Sequence, residues 1–125
     1  MLLQQAKKTI LIADDSALER TNLSGIVEGA GYQVILVASG DEAIALAESR
    51  LPKLIFLDIM MGDTDGFKTC RAIHKNPATK DIPIIMVSSK NNKADKVWAA
   101  EQGAVAYIVK PYTQDQILEA LKQFG

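Results

Sequence analysis

The sequence has few of the residues that build disulfide frameworks and zinc sites, and it has no apolar run long enough to span a membrane. Its 125 residues include one cysteine and one histidine. The single cysteine, Cys70, excludes an internal disulfide framework and fits a reducing compartment, and the presence of only one Cys and one His argues against a zinc site. No apolar stretch approaches the roughly 18–20 residues that a membrane-spanning helix needs, and residues 1–8 lack the apolar core of a signal peptide. We therefore expect a cytoplasmic chain without membrane insertion.

The chain also lacks an excess of charge of either sign. Lys and Arg number 14 and Asp and Glu number 15, which gives a formal net charge of −1. Because no basic stripe is present, we expect no nucleic-acid partner. A hydrophobic content of 48% with 23% charged residues is typical of a globular protein. We expect one domain over residues 1–125, with an ordered core at about residues 8–124.

Five short apolar runs alternate with segments of helical period. The runs start near residues 9, 33, 54, 83 and 106. Between them, apolar residues recur at helical spacing, and capping boxes mark helix starts at Ser16, Ser39 and Thr113. This alternation predicts an α/β fold: a five-stranded parallel sheet, doubly wound, with helices on both faces. The polar segment 90–96 is either a loop or the frayed first turn of the fourth helix.

Polar side chains stand at the ends of four of these runs. They are Asp14 and Asp15 after the first, Asp58 after the third, Ser88 after the fourth and Lys110 after the fifth. Ligands of parallel sheets bind outside the carboxyl ends of the strands, so we expect these residues to meet at one edge. Three carboxylates at one edge repel one another unless a cation lies between them. Their hard oxygens are the ligands that Mg²⁺ prefers, with Mn²⁺ as an alternative.

The same residue set suits phosphoryl transfer to an aspartate. Asp carboxylates act as nucleophiles and form acyl-phosphates. A metal ion would neutralise charge on the incoming group, Lys110 would supply a second cation, and the Ser88 hydroxyl would donate a hydrogen bond. A phosphoryl group adds roughly −1.5 to −2 charges at pH 7, a change that Lys110 and Ser88 are placed to sense.

Several of these residues also have plainer interpretations. Asp14 and Asp15 could be acids favoured by the dipole at a helix N-terminus, and Lys110 could be a solvated surface lysine. Either Ser88 or Ser89 could face the site, and strand alternation favours Ser88.

Two ring-bearing residues lie away from these strand ends. His74, within the third helix, suits packing or surface exposure better than general-base catalysis. Trp98, on the predicted fourth helix, suits core packing, but partial exposure of its ring would mark a docking face.

Taken together, the motifs resemble the signature of the receiver domain of bacterial two-component response regulators. The similarity runs from about Lys8 to Phe124. The motifs that carry it are Asp14-Asp15, Asp58-Ile59-Met60-Met61-x-x-x-Asp65-Gly66, Ser88 and Lys110-Pro111. Within the family, the chain is similar to the single-domain chemotaxis type. The segment Lys96-Val97-Trp98 with Gln102-Gly103 resembles regulators of twitching motility. The resemblance implies a flavodoxin-like fold with strand order 2-1-3-4-5.

The resemblance also implies a role for each matched residue. Asp58 accepts a phosphoryl group from a histidine kinase or phosphotransfer domain in a Mg²⁺-dependent reaction. The family's metal ligands match Asp15 and Asp58 directly, Asp14 through water, and the backbone carbonyl of Met60.

Further positions of the family match the residues that respond to the phosphoryl group. Lys110 pairs with that group, and the Ser88 hydroxyl bonds to it. Tyr107 matches the aromatic residue that turns inward, and the Lys110–Pro111 bond is cis in the family. The face made by the fourth helix, fifth strand and fifth helix then changes its affinity for a downstream protein.

The sequence departs from the family's pattern beside the acceptor. Gly62 stands where the family usually has Pro, and Asp63 adds a negative charge. Met60 and Lys90 match positions that tune self-hydrolysis, and a bulky apolar Met60 predicts slow loss of phosphate.

Three other functions remain as alternatives. A hydrolase of the haloacid dehalogenase type has its acids in a D-x-D arrangement, whereas Asp14-Asp15 is contiguous and no cap insertion is present. A flavodoxin-like cofactor binder would need a phosphate loop in place of these acids. A degenerate receiver would lack some of the site residues. We expect a phosphoacceptor switch that assists its own phosphorylation and dephosphorylation, rather than a turnover enzyme. Since no residues follow Gly125, the expected output passes to a separate protein.

Overall fold

A parallel sheet forms the centre of the computed structural model, which describes residues 8–62 and 64–125. Its strands are β1 (Thr9–Ala13), β2 (Gln33–Val37), β3 (Leu54–Leu57), β4 (Ile84–Ser88) and β5 (Ala106–Val109). They lie in the order β2-β1-β3-β4-β5, and each neighbouring pair is parallel. The predicted fold class and strand order are confirmed.

Helices cover both faces of this sheet. They are α1 (Ala17–Gly29), α2 (Gly40–Arg50), α3 (Gly66–Lys75), α4 (Lys93–Glu101) and α5 (Gln114–Phe124). Successive strand residues point to opposite faces, so Ile10 and Ile12 pack with α1 and α5, whereas Leu11 and Ala13 pack with α2, α3 and α4. Within residues 8–62 and 64–125, no helix is long and apolar enough to cross a membrane.

The central strands are buried on both faces. Every residue of β3 and β4 is buried, as is all of β1 after Thr9. The edge strands β2 and β5 are partly exposed. This difference explains why the central strands read as continuous apolar runs, as strands in parallel sheets do.

The predicted capping boxes form completely at one helix and in half at two. At α5 the Thr113 hydroxyl accepts from the Gln116 N–H, and the Gln116 side chain accepts from the Thr113 N–H. At α1 and α2, the Ser16 and Ser39 side chains each accept the expected backbone bond, but the glutamate carboxylate does not accept the reciprocal bond from the serine N–H. Asn92 caps α4, so the helix begins at Lys93 and the preceding residues form a loop.

A short hairpin between β3 and α3 was not predicted. Met60–Met61 pairs with Thr64–Asp65 in an antiparallel ladder. The hairpin brings Gly66 against the backbone that follows β3, where its N–H donates to the Ile59 carbonyl at 2.6 Å. Asp63, whose charge the sequence placed in this turn, lies outside the described residues.

Candidate functional site

The carboxyl ends of four strands form a polar edge of the sheet. Ala13 pairs with Leu57, and Leu57 pairs with Met86, so the chain segments that leave these strands lie side by side. Four of the predicted site residues stand at these ends: Asp14, Asp58, Ser88 and Lys110. The fold thus brings the Lys110 ammonium into contact with the carboxylates of Asp14 and Asp58, although Asp14 and Lys110 lie near opposite ends of the sequence.

Lys110 joins the two acids. Its ammonium donates to Asp14 Oδ2 at 2.7 Å and to Asp58 Oδ2 at 3.0 Å. Burial by itself lowers the pKa of Lys110, but the hydrogen bonds to Asp14 and Asp58 outweigh it and hold that pKa above its usual range. Lys110 is therefore a fixed positive charge at the polar edge. Its peptide bond to Pro111 is cis.

Asp58 is a buried carboxylate with an incompletely compensated charge. It is 9% exposed, and its Oδ1 accepts from the Met60 N–H at 3.2 Å. Burial raises the pKa of Asp58 above its usual value. The bonds from Lys110 and Met60 lower it, and the charge of Asp14 raises it again, so the net direction is upward. The carboxylate is thus poorly hydrated and faces a cation.

The Asp15 carboxylate binds the loop that follows β3. Its Oδ2 accepts from the Gly62 N–H at 2.7 Å, and Gly62 has φ +56°, a conformation that glycine adopts without steric cost. Proline, which has no N–H and a fixed negative φ, could not make this contact. The departure from the family's pattern at Gly62 therefore creates a hydrogen bond between the loop and Asp15.

The acids of this edge have the donor chemistry of a magnesium site. Among the described residues, no three His, Cys, Asp or Glu side chains are close enough together to hold a metal ion. The carboxylates of Asp14 and Asp58 both contact the Lys110 ammonium, whereas the Asp15 carboxylate accepts from the Gly62 N–H. All the candidate donors are oxygens: Asp14, Asp15, Asp58 and the backbone carbonyl of Met60. That set fits a hard cation which keeps part of its water shell.

Ser88 and Tyr107 are tied to one loop. Ser88, the buried last residue of β4, accepts from the Lys90 N–H at 3.2 Å, and its carbonyl accepts from the Lys110 N–H at 2.8 Å. The Tyr107 hydroxyl donates to the Lys90 carbonyl at 2.7 Å. Burial raises the pKa of Tyr107, so its hydroxyl stays protonated and able to donate. The 88–90 loop therefore bonds both to Tyr107 of β5 and to Lys110, which contacts Asp14 and Asp58.

Two site residues were missed by the sequence reasoning. Glu19 Oε2 lies 3.7 Å from the Lys110 ammonium, and Arg20 donates through Nη1 to the Asp14 carbonyl at 2.6 Å. The sequence pattern placed Glu19 in a capping box, where its carboxylate would point to the backbone. Their position one turn after Asp14 and Asp15 was the available signal, since the first turn of α1 starts at this edge.

Two other singular residues lie outside the polar edge. His74 is exposed on α3 and packs against Gly103, as expected of a packing or surface residue. Cys70 is fully buried in the same helix, and burial raises the pKa of its thiol to about 12. A protonated, inaccessible thiol suits packing rather than chemistry.

Apolar side chains are exposed on and beside α4. Trp98 is 47% exposed, and Val97 and Val105 are exposed to a similar extent. The Trp98 ring lies edge-on to Phe67 of α3, with 6.4 Å between ring centroids. The predicted docking face thus presents a half-exposed tryptophan that also touches the helix following Asp58.

Comparisons with known proteins all identify the same family. The response regulator receiver domain family matches residues 10–122. The protein PilH of Pseudomonas aeruginosa is 37% identical over 90% of this chain and 93% of its own length. PilG of the same organism is 35% identical over 90% of this chain and 84% of its own length.

Solved structures agree with the family match. Chemotaxis protein CheY4 of Vibrio cholerae aligns with a TM-score of 0.89 at 29% identity, over 96% of this chain and 100% of that one. The receiver domain of a Pseudomonas aeruginosa sensor histidine kinase, with magnesium coordinated in its active site cleft, aligns with a TM-score of 0.88 at 25% identity. That alignment covers 95% of this chain and 98% of the other. With its polar edge, its doubly wound sheet and this match over residues 10–122, the chain belongs to the response regulator receiver domain family.

Proposed function

We propose that this chain is a phosphorylation-activated signalling switch in which Asp58 is the phosphoacceptor. The observation that carries the proposal is the setting of Asp58: a buried carboxylate, directly after a central strand, bonded to the Lys110 ammonium. The donor is a histidine kinase or a histidine phosphotransfer domain, the partner class that family membership implies. A cytoplasmic location of the reaction is part of this proposal.

The proposed transfer forms an acyl-phosphate. A carboxylate oxygen of Asp58 attacks phosphorus, a P–O bond forms, and the P–N bond to the donor histidine breaks. The leaving imidazole nitrogen takes up a proton. Lys110 holds positive charge beside the attacking carboxylate, where the phosphoryl oxygens arrive, so it needs no reorganisation during the transfer.

A divalent cation completes the charge balance of the proposed site. Mg²⁺ when bound supplies neutralisation of the phosphoryl oxygens, and Mn²⁺ would serve in its place. Asp14, Asp15, Asp58 and the Met60 carbonyl are the residues that would hold it. The magnesium in the kinase receiver domain from Pseudomonas aeruginosa supports this assignment.

Phosphorylation would give three residues new partners. The acyl-phosphate replaces the Asp58 carboxylate with a group carrying about −1.5 to −2 charges. Lys110 would pair with that group, the Ser88 hydroxyl would donate to it, and Tyr107 would be the aromatic residue that turns inward. This order of events is supported by the bonds that Tyr107 and Lys110 already make to the 88–90 loop, of which Ser88 is the first residue.

The proposed output is binding of a downstream protein by the face formed by α4, β5 and α5. Two conformations of this face would exchange, and phosphorylation would favour one of them. A shift from 1:99 to 99:1 requires about 5.5 kcal/mol of differential stabilisation. At Lys110, the Asp58 carboxylate would be replaced by a group of up to twice its charge. A change of this kind is large enough to supply that differential stabilisation.

The chemistry of Asp58 would serve the signal rather than product formation. The chain assists its own phosphorylation and dephosphorylation, whereas a phosphatase of the haloacid dehalogenase type would turn over small esters. The exposed Met60 side chain and Lys90 line one cavity of about 330 Å³, which also includes Ile59, the residue after Asp58. A side chain of that bulk would hinder the attacking water, so we propose slow loss of the phosphoryl group, over minutes or longer.

Incubation with acetyl phosphate and Mg²⁺ tests the proposal. We expect a mass gain of one phosphoryl group that persists for minutes, disappears in Asp58→Asn and fails to form in excess EDTA. Omission of acetyl phosphate is the matched blank. Continuous release of phosphate from a small ester, without a stable adduct, would support the hydrolase instead.

The role of Lys110 can be separated from that of the acceptor. We predict that Lys110→Ala leaves the fold intact and still takes up phosphate, but that phosphorylation no longer changes affinity for the partner. Lys68→Ala, an exposed lysine on α3, is the control for loss of a positive charge. Titration of partner protein into phosphorylated and unphosphorylated forms measures the effect. A Lys110→Ala chain with the wild-type affinity change would contradict the role.

A further inference from the structure

A second cavity lies at the amino ends of the strands, on the edge opposite Asp58. Its volume is about 750 Å³. Its walls come from the start of β1, the turn between α2 and β3, the segment before β4, and the end of α5. None of the residues of the acid cluster lines it, so the proposed phosphorylation switch does not account for it.

The cavity carries a local excess of positive charge. Three cations line it, Lys8, Arg50 and Lys53, against one acid, Asp81. The whole chain has one more acid than cations, so this is a concentration of charge rather than a property of the composition. All three cations are exposed, and every ion pair found in residues 8–62 and 64–125 involves Lys110. Their charge is therefore available to a ligand.

The remaining wall is apolar. Leu51, Pro52, Ile82, Pro83 and Phe124 line the same cavity. Leu51 is 58% exposed, although a leucine side chain gains free energy when it is covered. A ligand that fits must therefore combine negative charge with at least one apolar group.

The turn that builds this wall is strained. Leu51 ends α2 with φ +46°, and among the described residues it is the one non-glycine residue with positive φ. Side chains larger than that of asparagine rarely adopt this conformation, and such strain clusters at binding sites. The turn places Arg50 and Lys53 on either side of Leu51, so that two cations flank one exposed leucine.

We propose that this cavity is a docking site for an acidic peptide segment of a partner protein, with an apolar side chain between its carboxylates. The cations of the cavity favour carboxylates in the peptide, and the apolar wall of the cavity favours an apolar side chain between those carboxylates. The concave shape favours a peptide over a flat membrane surface. Three cations around a cavity do not make the basic stripe that tracks a nucleic-acid backbone. Because this edge is separate from Asp58, docking would not depend on phosphorylation.

Fluorescence anisotropy with a short labelled peptide of glutamates flanking one leucine tests the proposal. The full chain should bind it without a phosphoryl donor, and added salt should weaken binding. Arg50→Glu with Lys53→Glu should weaken binding by about tenfold or more, since each reversal replaces an attraction by a repulsion. The matched control is Lys68→Glu with Arg71→Glu, an exposed pair on α3 that does not line the cavity.

A second variant tests the apolar wall without changing charge. Leu51→Gly relieves the positive φ and removes the exposed side chain, so the chain should stay folded. The wild type should prefer the leucine peptide to one with serine at its centre, and Leu51→Gly should lose that preference.

Four results would overturn the proposal. They are no peptide binding by the wild type, equal weakening in both charge-reversed pairs, binding of vesicles rich in anionic phospholipid without binding of the peptide, and self-association of the chain that the cavity reversals abolish. The last two would assign the cavity to a membrane surface or to a second copy of the chain.

Discussion

At the residue scale, Lys110 determines the electrostatics of the polar edge. Its ammonium lies between two carboxylates that come from different strands, and a third carboxylate, that of Glu19, stands 3.7 Å away. Lys110 thereby joins α1, β1 and β3 to the end of β5. Any change to the charge of one of its acids, such as the proposed phosphorylation of Asp58, alters the electrostatic balance at all of these contacts.

A first prediction concerns the stability of Asp58→Asn. Burial raises the pKa of Asp58 above its usual value of 3.8, so the folded chain holds this proton more tightly than the unfolded chain. The stability contributed by Asp58 is therefore fully present below about pH 3.8 and falls as the pH rises through the raised pKa. Asn has no such titration, so Asp58→Asn should be more stable than the wild type at neutral pH without metal.

Urea unfolding in EDTA at several pH values measures this difference. The advantage of the variant should shrink toward zero as the pH is lowered, because both side chains are then uncharged. Asp115→Asn, an exposed acid on α5, is the matched control. A variant that is less stable than the wild type at neutral pH would show that Lys110 stabilises the charged carboxylate more than burial opposes it.

Not every residue of the edge could be predicted from the sequence. Asp14, Asp58 and Lys110 stand directly after apolar runs, so the sheet topology fixes their position. Glu19 could satisfy either the backbone at the start of α1 or the lysine, and the choice depends on where Lys110 lies, some 90 residues away. Local pattern cannot decide between a near and a distant partner of similar strength.

At the element scale, the start of α3 holds the loop after Asp58 in place. A Cβ on Gly66 would overlap the carbonyl oxygen of Asp58 and the backbone of Ile59, neither of which can move without moving Asp58. Gly25, in the interior of α1, has open space around it. Gly66 is therefore required by the close approach of the α3 backbone to the loop, whereas nothing around Gly25 requires a glycine.

A second prediction follows for alanine at these two positions. Gly66→Ala should destabilise the chain by about 1–3 kcal/mol through overpacking, and should slow phosphorylation by acetyl phosphate. Gly25→Ala should stabilise it by about 0.5–1 kcal/mol, because glycine in a helix interior loses more backbone entropy on folding. Urea denaturation of both variants checks the opposite signs. Equal effects would mean that the space around Gly66 is not limiting.

A third prediction uses the contact between α3 and α4. Trp98, the single tryptophan of the chain, lies edge-on to Phe67, and Phe67 stands at the start of α3, just after the loop that follows Asp58. If α4 moves on activation, beryllofluoride with Mg²⁺ should separate the rings and shift Trp98 emission to longer wavelength. Asp58→Asn is the control and should show no shift. Unchanged emission from a fully modified wild-type chain would place the moving part elsewhere.

The hairpin at Met60–Met61 and Thr64–Asp65 marks a limit of element prediction. Two-residue strands are too short to show alternation, and their pairing depends on Gly62 at φ +56°. The longer elements were predictable because a buried strand or amphipathic helix repeats its pattern over several residues. What the sequence could not give was the local geometry of the loop that surrounds the acceptor.

At the scale of the whole molecule, the sheet divides the interior into two cores. One contains residues of α1 and α5, the other residues of α2, α3 and α4. The alternation of strand and helix predicted the doubly wound parallel sheet, and the family resemblance implied its strand order. Both cores share β1, β3 and β4, so these strands belong to each half.

A fourth prediction concerns hydrogen exchange. Amides of β1, β3 and β4 should exchange most slowly and near the rate set by global unfolding, because both of their faces are covered. Amides of the edge strands β2 and β5, which are partly exposed, should exchange faster through local opening. Native-state exchange followed by NMR measures each residue. Equal protection of the β1 and β2 amides from hydrogen exchange would contradict this division between central and edge strands.

The short strands also set the distance between the two ends of the molecule. A strand of four or five residues spans about 13–17 Å. A kinase at the Asp58 end and an acidic segment at the opposite end would be too far apart to compete for the same side chains. The chain could then act as an adaptor that holds both at once. A tethered kinase would meet Asp58 at a raised effective concentration, and signalling would respond to colocalisation as well as to phosphate.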